Sequence, residues 1–397
     1  MTMQKPNVLD LFCGAGGLSK GFELAGFEIV TANDVWEPAL KTYARNHPGT
    51  KCVLGNITDP KIKQQILKVF ENKKCDVIIG GPPCQAYSIA GLRDPNDPRG
   101  RLFEDYVQIV DKLRPKIFIM ENVKGILTMK HEKDSLTLKE KVGLDELRIM
   151  GEAKKDLLLL RKQNKNNPVK FKFGDHEQRK LDEIKLKIKL TRANLGDVEE
   201  KVTDKIKRRF KEIGYDVEFK MLNAADYGVP QKRERVIFIS KQENGPVTFP
   251  QPTHAKLSQD GKSRWKTVRD AIDDLKSKRE DIEYSHIITK HDEKFVRKIK
   301  NTPIGKSVFG NYSDSFFRNM PDEPSRTVKE NHGGVLVHYE KDRVMTPREL
   351  ARLQSFRDNF IFEGSKSDIL KQIGNAVPVD LAMAIGKHVM KLFQKNN

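Results

Sequence analysis

Cysteine is scarce in this chain and is not arranged for cross-linking. Cys13, Cys52, Cys75 and Cys84 are the four among 397 residues. None forms a C-x-x-C pair and none lies beyond residue 84, which argues against a disulfide framework and against a zinc site, so no metal is expected. No apolar run reaches the roughly 18 residues that a membrane-spanning helix needs. Residues 1–7 lack the apolar stretch of a secretory signal. No internal repeat or low-complexity tract is visible. These absences fit a reducing, cytoplasmic setting with no membrane partner. Acidic residues are also in deficit, 55 Asp and Glu against 73 Lys and Arg, a formal net charge of +18. A surplus of that size asks for a polyanionic partner, nucleic acid ahead of an anionic membrane. The length suits two domains rather than one.

What is present begins with a β-α-β unit. Val8 to Phe12 reads as a strand and runs into Cys13-Gly-Ala-Gly-Gly-Leu-Ser19, followed by a helix to Ala25 and a second strand from Glu28 to Ala32. Glycines at a strand-to-helix turn let a ligand approach the backbone, and the helix N-terminus offers free N–H groups. A plain structural turn has the same appearance, and Ser19 stands where a dinucleotide fingerprint wants its third glycine. Asp34 follows the second strand. Its carboxylate suits ribose hydroxyls, or the N-cap of a helix over Glu37 to Asn46, or both.

Cys75 to Ile79 is a short apolar run that predicts a buried strand. Gly80-Gly-Pro-Pro-Cys84-Gln-Ala-Tyr-Ser88 then stops it in a stiff loop with one thiol at its tip. Rigid backbone around a single thiol is what nucleophilic catalysis needs, although a buried, inert cysteine also occurs at such turns. Residues 91–100 read as a polar loop able to close over a substrate. Leu102 to Leu113 reads as a helix, and Lys116 to Met120 as a strand ending at Glu121-Asn122-Val123. Alternation of strands and helices over residues 7–123 predicts an α/β fold with a doubly wound, mostly parallel sheet. The glycine turn, Asp34, Asn56, Cys84 and Glu121 all fall at the carboxyl ends of its strands, where such sheets gather ligands.

Residues 128–195 change character. They crowd charge into a segment that reads as an insertion, either a helical hairpin or an arm. Residues 182–192 alternate as a strand would but lie between helical flanks. Val198, Val202, Ile206 and Phe210 mark a helix capped by Gly214, and two strands return at Val217 to Leu222 and Arg235 to Ile239. Residues 242–342 lose periodicity and form a loop-rich second domain. Arg264, Trp265, Lys266, Lys306, Tyr312, Arg318, Arg326 and Lys329 there suit phosphates and base edges, or an ordinary solvated surface. Thr346 and Pro347 open a helix. Lys371 to Pro378 lead into the last helix, in a C-terminal segment, 343–397, that returns to the first domain of residues 1–241.

Six blocks in this order resemble the cytosine-5 DNA methyltransferases of bacterial restriction–modification type. They are Asp10 to Gly17, Gly81-Pro-Pro-Cys84-Gln85, Glu121-Asn-Val123, Gln231-Lys-Arg-Glu-Arg235, Arg348 to Gln354 and Gly374-Asn-Ala-Val-Pro378. The resemblance covers nearly all the chain except the insertion and residues 242–342. It implies a fold that binds S-adenosylmethionine and a reaction on a cytosine flipped out of double-stranded DNA. The catalytic set it implies is Cys84 as the attacking thiolate, Glu121 on ring nitrogen 3 and the exocyclic amine, and Arg235 on oxygen 2 with Arg233 close by. Its methyl-donor pocket carries over to Phe12, Gly14, Ala15, Gly16, Gly17, Leu18, Asp34, Val35, Asn56, Ile57, Pro83, Leu102, Asn375 and Ala376. Residues 242–342 become the reader of flanking sequence. A monomer and a restriction endonuclease acting on the same site are further expectations. An RNA-acting branch shares the chemistry, but it has a reduced region where this chain has a long one.

Three positions depart from the family pattern. Asn56 stands where an aspartate is usual, Arg357 where a proline is, and Val379 where a second proline is common. None of these is a catalytic position. The base that takes the carbon-5 proton has no side chain assigned to it.

Overall fold

A computed structural model describes residues 5–83, 98–133, 135–196, 198–242, 247–258, 260–310, 315–330 and 336–395. Cys84, residues 91–97 of the expected closing loop, and Tyr312 lie outside them. The chain divides into two compact units, one of residues 1–84, 98–124 and 207–397, the other of residues 85–97 and 125–206.

Among the described residues the first unit is built around a seven-stranded sheet: β1 (Asn7–Leu11), β2 (Glu28–Asp34), β3 (Lys51–Leu54), β4 (Val77–Gly80), β5 (Ile117–Val123), β8 (Asp216–Asn223) and β9 (Glu234–Lys241). Two short strands of the second unit, β6 (Lys130–Glu132) and β7 (Glu199–Lys201), come between them in the chain. The sheet order is β3-β2-β1-β4-β5-β9-β8. The first five strands are parallel, while β9 runs antiparallel to both β5 and β8. Every residue of β1 and β4 is buried. Central strands covered on both faces favour near-continuous apolar runs, which is why Val77 to Ile79 show no alternation and β1 is interrupted only by the buried Asp10 after Val8 and Leu9. The expected α/β, doubly wound sheet is the one observed. Its strand order reverses between β1 and β4, so a crevice opens where the glycine turn and the Gly80–Pro83 loop leave the sheet.

Helices α1 (Gly17–Leu24), α2 (Glu37–Asn46), α3 (Pro60–Lys68) and α4 (Pro98–Leu113) link the parallel strands. α4 starts at Pro98, so the last residues of the stretch read as loop are helical. Proline suits the first helical turn, where its missing N–H costs nothing. Among the described residues no helix is long and apolar enough to cross a membrane.

The second unit contains a hairpin of two long helices, α5 (Leu138–Asn166) and α6 (Asp175–Leu195). Thr137 and Glu140 form a capping box at the start of α5. Residues 182–192 are therefore helical: Leu181 is buried, while Leu186 and Leu190 are exposed. The following helix, α7 (Val202–Glu212), starts after β7. Val198 precedes that strand and is not part of the helix that the apolar spacing predicted.

Residues 242–342 cluster with the first unit. They carry α8 (Val268–Ile272), α9 (Glu293–Lys300) and four two-residue strands. Arg318 is not at a nucleic-acid surface. It is buried, and its guanidinium donates to the carbonyls of Ile299 and Thr302 and to the Asp342 carboxylate. Beyond it lie α10 (Pro347–Leu353), α11 (Lys366–Asn375) and α12 (Val379–Lys395). Lys371 to Asn375 end α11 rather than start the last helix. Pro378 supplies no N–H and breaks the chain between the two.

Candidate active site

The cofactor turn is assembled by main-chain bonds between neighbouring strand ends. Cys13 N–H donates to Asn33 O and Gly55 N–H to Asp34 O, both at 3.0 Å. Asp34 accepts from Gly14 N–H at 2.8 Å and from Trp36 N–H at 2.9 Å. It thus ties the first turn to the second strand, and burial still pushes its carboxyl above the usual range. Phe12 adopts a left-handed backbone, φ 58°, a conformation that a bulky residue holds only under constraint. Nothing lies within 4 Å of where a side chain on Gly14 would point. Val35 is 60% exposed, and Asn56 is exposed with its side chain accepting from Thr58 N–H at 3.1 Å. An open space bordered by a carboxylate, an exposed apolar side chain and free backbone fits a nucleoside with a charged tail.

Other members of the expected pocket face elsewhere. Ala15 packs with Val268, Leu350 and Phe356, Leu18 lies in the main core with Phe22 and Ile385, and Ile57 is buried. A Cβ on Gly17 would sit 2.4 Å from Val377 O, and one on Gly16 would meet the His47 ring. Ala15, Gly16, Gly17 and Leu18 therefore offer backbone, not side chains, to a ligand. Pro83 is exposed and Leu102 half-buried.

Beneath the turn, Ser19 fills the place of a third glycine without losing the fold. Its hydroxyl donates to Asp10 Oδ2 at 2.6 Å and accepts from Tyr43 OH at 2.7 Å. Burial pushes the Asp10 carboxyl up to about 8, against the lowering effect of the Ser19 bond. The close contact that a third glycine normally permits occurs at Gly21, where a Cβ would lie 2.3 Å from Ala382 Cβ on α12.

On the other side of the crevice stand Glu121 and Arg235. Glu121 Oε1 lies 2.8 Å from Arg235 Nε, and the two side chains are 14% and 13% exposed. Both lie on one face of the sheet, because Arg235 sits opposite Val123 and two residues from Ile237, the partner of Glu121. The carboxylate also adjoins the Gly81 backbone, since a Cβ there would come 3.1 Å from Glu121 Oε2. Asn122 Nδ2 donates to Pro82 O at 3.0 Å. The loop that leads to Cys84 is thereby held against the strand that carries Glu121.

Arg233 differs from Arg235. It is 2% exposed and donates to the carbonyls of Val328, Gly374 and Ala376 at 2.7, 2.8 and 3.1 Å. Its Nη2 donates to main chain on both sides of Asn375, which is itself exposed, while Nη1 holds Val328 and the buried Nε has no partner among the described residues. The expected place of Arg233 in the base-binding set is corrected: it braces Asn375. Sequence reasoning also missed a buried amide relay. Gln231 Nε2 donates to Gln354 Oε1 at 3.0 Å, Gln354 Nε2 donates to Ile373 O at 2.7 Å, and Val328 N–H donates to Gln231 Oε1 at 2.9 Å. Buried amides need several partners each, but nothing in their spacing identifies those partners.

Cys13, Cys52 and Cys75 all have their thiols pushed up by burial. None of the three is suited to act as a thiolate.

Residues 6–146 and 192–391 match the family described as C-5 cytosine-specific DNA methylase. The type II methyltransferase M1.HphI of Haemophilus parahaemolyticus is 32% identical over 97% of this chain and 86% of its own length. M.FnuDI of Fusobacterium nucleatum is 31% identical over 96% of this chain and 93% of its length. Among solved structures, a prophage-encoded E. coli chain described as a DNA modification methyltransferase aligns with TM-score 0.65 and 22% identity, covering 98% of this chain and all of that one. A DNMT2 mutant of Spodoptera frugiperda aligns with TM-score 0.58 and 19% identity over 98% of this chain and all of its own. The family match, which covers most of the chain, and the doubly wound sheet agree, and the chain belongs to the C-5 cytosine-specific DNA methylases.

Proposed function

We propose that this methylase acts on carbon 5 of a cytosine flipped out of a specific double-stranded DNA sequence, with Cys84 as nucleophile and S-adenosylmethionine as methyl donor. The observation that carries the reading is the Glu121–Arg235 pair set against the Gly81–Pro83 loop. Cytosine carbon 5 is a weak nucleophile. Addition of the Cys84 thiolate at carbon 6 moves an electron pair towards carbon 5 and loads the ring with negative charge. Glu121 faces ring nitrogen 3 and shares a proton with it as that charge builds, while its other oxygen accepts from the exocyclic amine. Arg235 donates to oxygen 2. Both groups stabilise the adduct more than the free base, so they act on the barrier.

Phe12, Gly14, Asp34, Val35, Asn56, Pro83 and Asn375 border the donor site, with the backbone of residues 15–18 beside them. S-adenosylmethionine supplies an electrophilic methyl group there. Asp34 suits the ribose hydroxyls and Asn56 the adenine edge. After carbon 5 is methylated, its proton leaves to water and the carbon–sulfur electrons return to Cys84, which restores the thiolate. Extrusion of the base costs a few kcal/mol, which contacts between the basic surface and phosphates offset. Residues 242–342 read the flanking sequence in this account. The protein works as a monomer, as the modification partner of an endonuclease that cuts the same site.

The test is bisulfite sequencing of DNA from cells that express the protein, together with methyl transfer by the purified enzyme. Methylcytosine confined to one short sequence context supports the reading. Labelled tRNA with unlabelled duplex would replace it with the RNA-acting alternative.

A further inference from the structure

The α5–α6 hairpin has no part in the chemistry above, and the family match skips residues 147–191 within it. Its charge is unevenly spread. Over residues 161–180, seven lysines and arginines face two carboxylates, Asp175 and Glu177. The stretches 138–152 and 181–195 are near balance, with seven basic and six acidic residues. Twenty residues at the distal end thus hold a net +5 of the chain's +18. General solubility does not require that concentration.

The tip is also ordered in a way that leaves its cations available. Arg161, Lys162, Lys165, Lys170, Lys172, Arg179 and Lys180 are all exposed. Among the described residues none of them forms a salt bridge, and none is among the residues with a further partner. Arg161 lies 5.9 Å from the centre of the Phe173 ring and Lys170 5.7 Å from that of Phe171. Such contacts restrain a cation without cancelling its charge. Of the two carboxylates, Glu177 accepts from Gly174 N–H at 2.8 Å and caps α6.

We propose that residues 161–180 form an arm that binds the phosphate backbone of duplex DNA regardless of sequence, holding the methylase on long DNA. The inference rests on the reading of the chain as a DNA methylase. A protein partner fits the arm less well. On α6 the exposed Leu186 and Leu190 lie one turn from Lys189 and Lys187 respectively, so burying them would also bury lysines, at a cost unless each is paired. A polyanion meets the lysines and leaves the leucines wet. With α5 about 43 Å long at 1.5 Å per residue, the hairpin spans the length of about a dozen base pairs of duplex.

The experiment replaces Lys162, Lys165, Lys170 and Lys172 together, once by glutamine and once by glutamate, and confirms retained helicity by circular dichroism. Binding to a random-sequence duplex of about 60 base pairs is measured against salt. The arm predicts weaker binding and a salt slope shallower by roughly 3 for the glutamine variant, at up to 0.9 per lost phosphate contact. The glutamate variant binds weaker still. The rate of methyl transfer at saturating phage DNA stays within about twofold of wild type, because chemistry is separate from retention. Unchanged affinity and slope in both variants overturn the proposal. Unchanged DNA affinity with altered sedimentation also overturns it, and assigns the arm to protein contact. A wild-type enzyme that binds DNA with the steeper slope but methylates no cytosine refutes the proposed function and leaves the arm standing.

Discussion

Glu121 and Arg235 meet diagonally, at 2.8 Å, across the junction where the parallel strands end and β5 pairs antiparallel with β9. The register places both on the same face, so each fixes the other's rotamer before any base arrives. Replacing Glu121 by Gln keeps the shape and removes the proton donor. Turnover should fall on the order of 10²- to 10³-fold. Arg235→Lys should cost a similar factor, because an ammonium does not reproduce the planar fork. In a double-mutant cycle the two losses should be less than additive. Fully additive losses would separate the residues into independent roles.

Cys84→Ala should lower methyl transfer by roughly 10⁴-fold or more, with DNA binding retained. The covalent complex that trapping with a fluorinated cytosine would give should disappear as well. Residual methylation near the wild-type rate would remove the nucleophile from the mechanism. None of Cys13, Cys52 and Cys75 can substitute, since burial holds all three as thiols.

Arg233→Lys should behave unlike Arg235→Lys. Three buried carbonyls lose part of their guanidinium partner, a destabilisation on the order of 3 kcal/mol. The melting temperature falls and KM for the methyl donor rises as Asn375 loosens, while kcat at saturation changes little. A large drop in kcat with an unchanged melting temperature would return Arg233 to direct contact with the base.

Asp10 supplies a pH dependence with a definite sign. Its carboxyl has an ordinary value of 3.8 and sits at about 8 in the fold. The folded protein therefore holds a proton that the unfolded chain has lost. Its contribution to stability is full below about pH 4, declines through the intervening range and is gone above about pH 8. Asp10→Asn keeps an acceptor for Ser19 and removes the titration. Urea midpoints between pH 4 and 9 should show a flatter profile for the variant and a gain over wild type at the alkaline end. Parallel profiles would mean that Asp10 is charged in the fold.

The parts of this protein legible in its sequence are those written in local pattern. Short apolar runs marked β1, broken by Asp10, and β4, and glycine with proline marked the turns. The block order carried Glu121 and Arg235. What escaped were pairings set by the third dimension. Arg233 and Arg235 are two residues apart and look alike, yet one points into packed main chain and the other into the crevice. Arg318 was equally ambiguous, because an arginine that satisfies buried carbonyls has the same letters around it as one that awaits a phosphate. The break between α11 and α12 was missed because Gly374 and Asn375 read as a loop leading into a helix.

Gly21 rests on Ala382, and Ala25 in turn meets the backbone of Gly386. The helix behind the methyl-donor turn is thus completed by residues 361 positions further along the chain. At roughly 5 to 20 residues per second, the ribosome needs about 20 to 70 s to travel from Ala25 to Gly386. Through that interval the growing chain has its glycine turn but no partner for the helix behind it. The packing behind the turn is complete only once α12 has emerged as far as Gly386, and a chain cut short before Ala382 lacks the surface on which Gly21 rests.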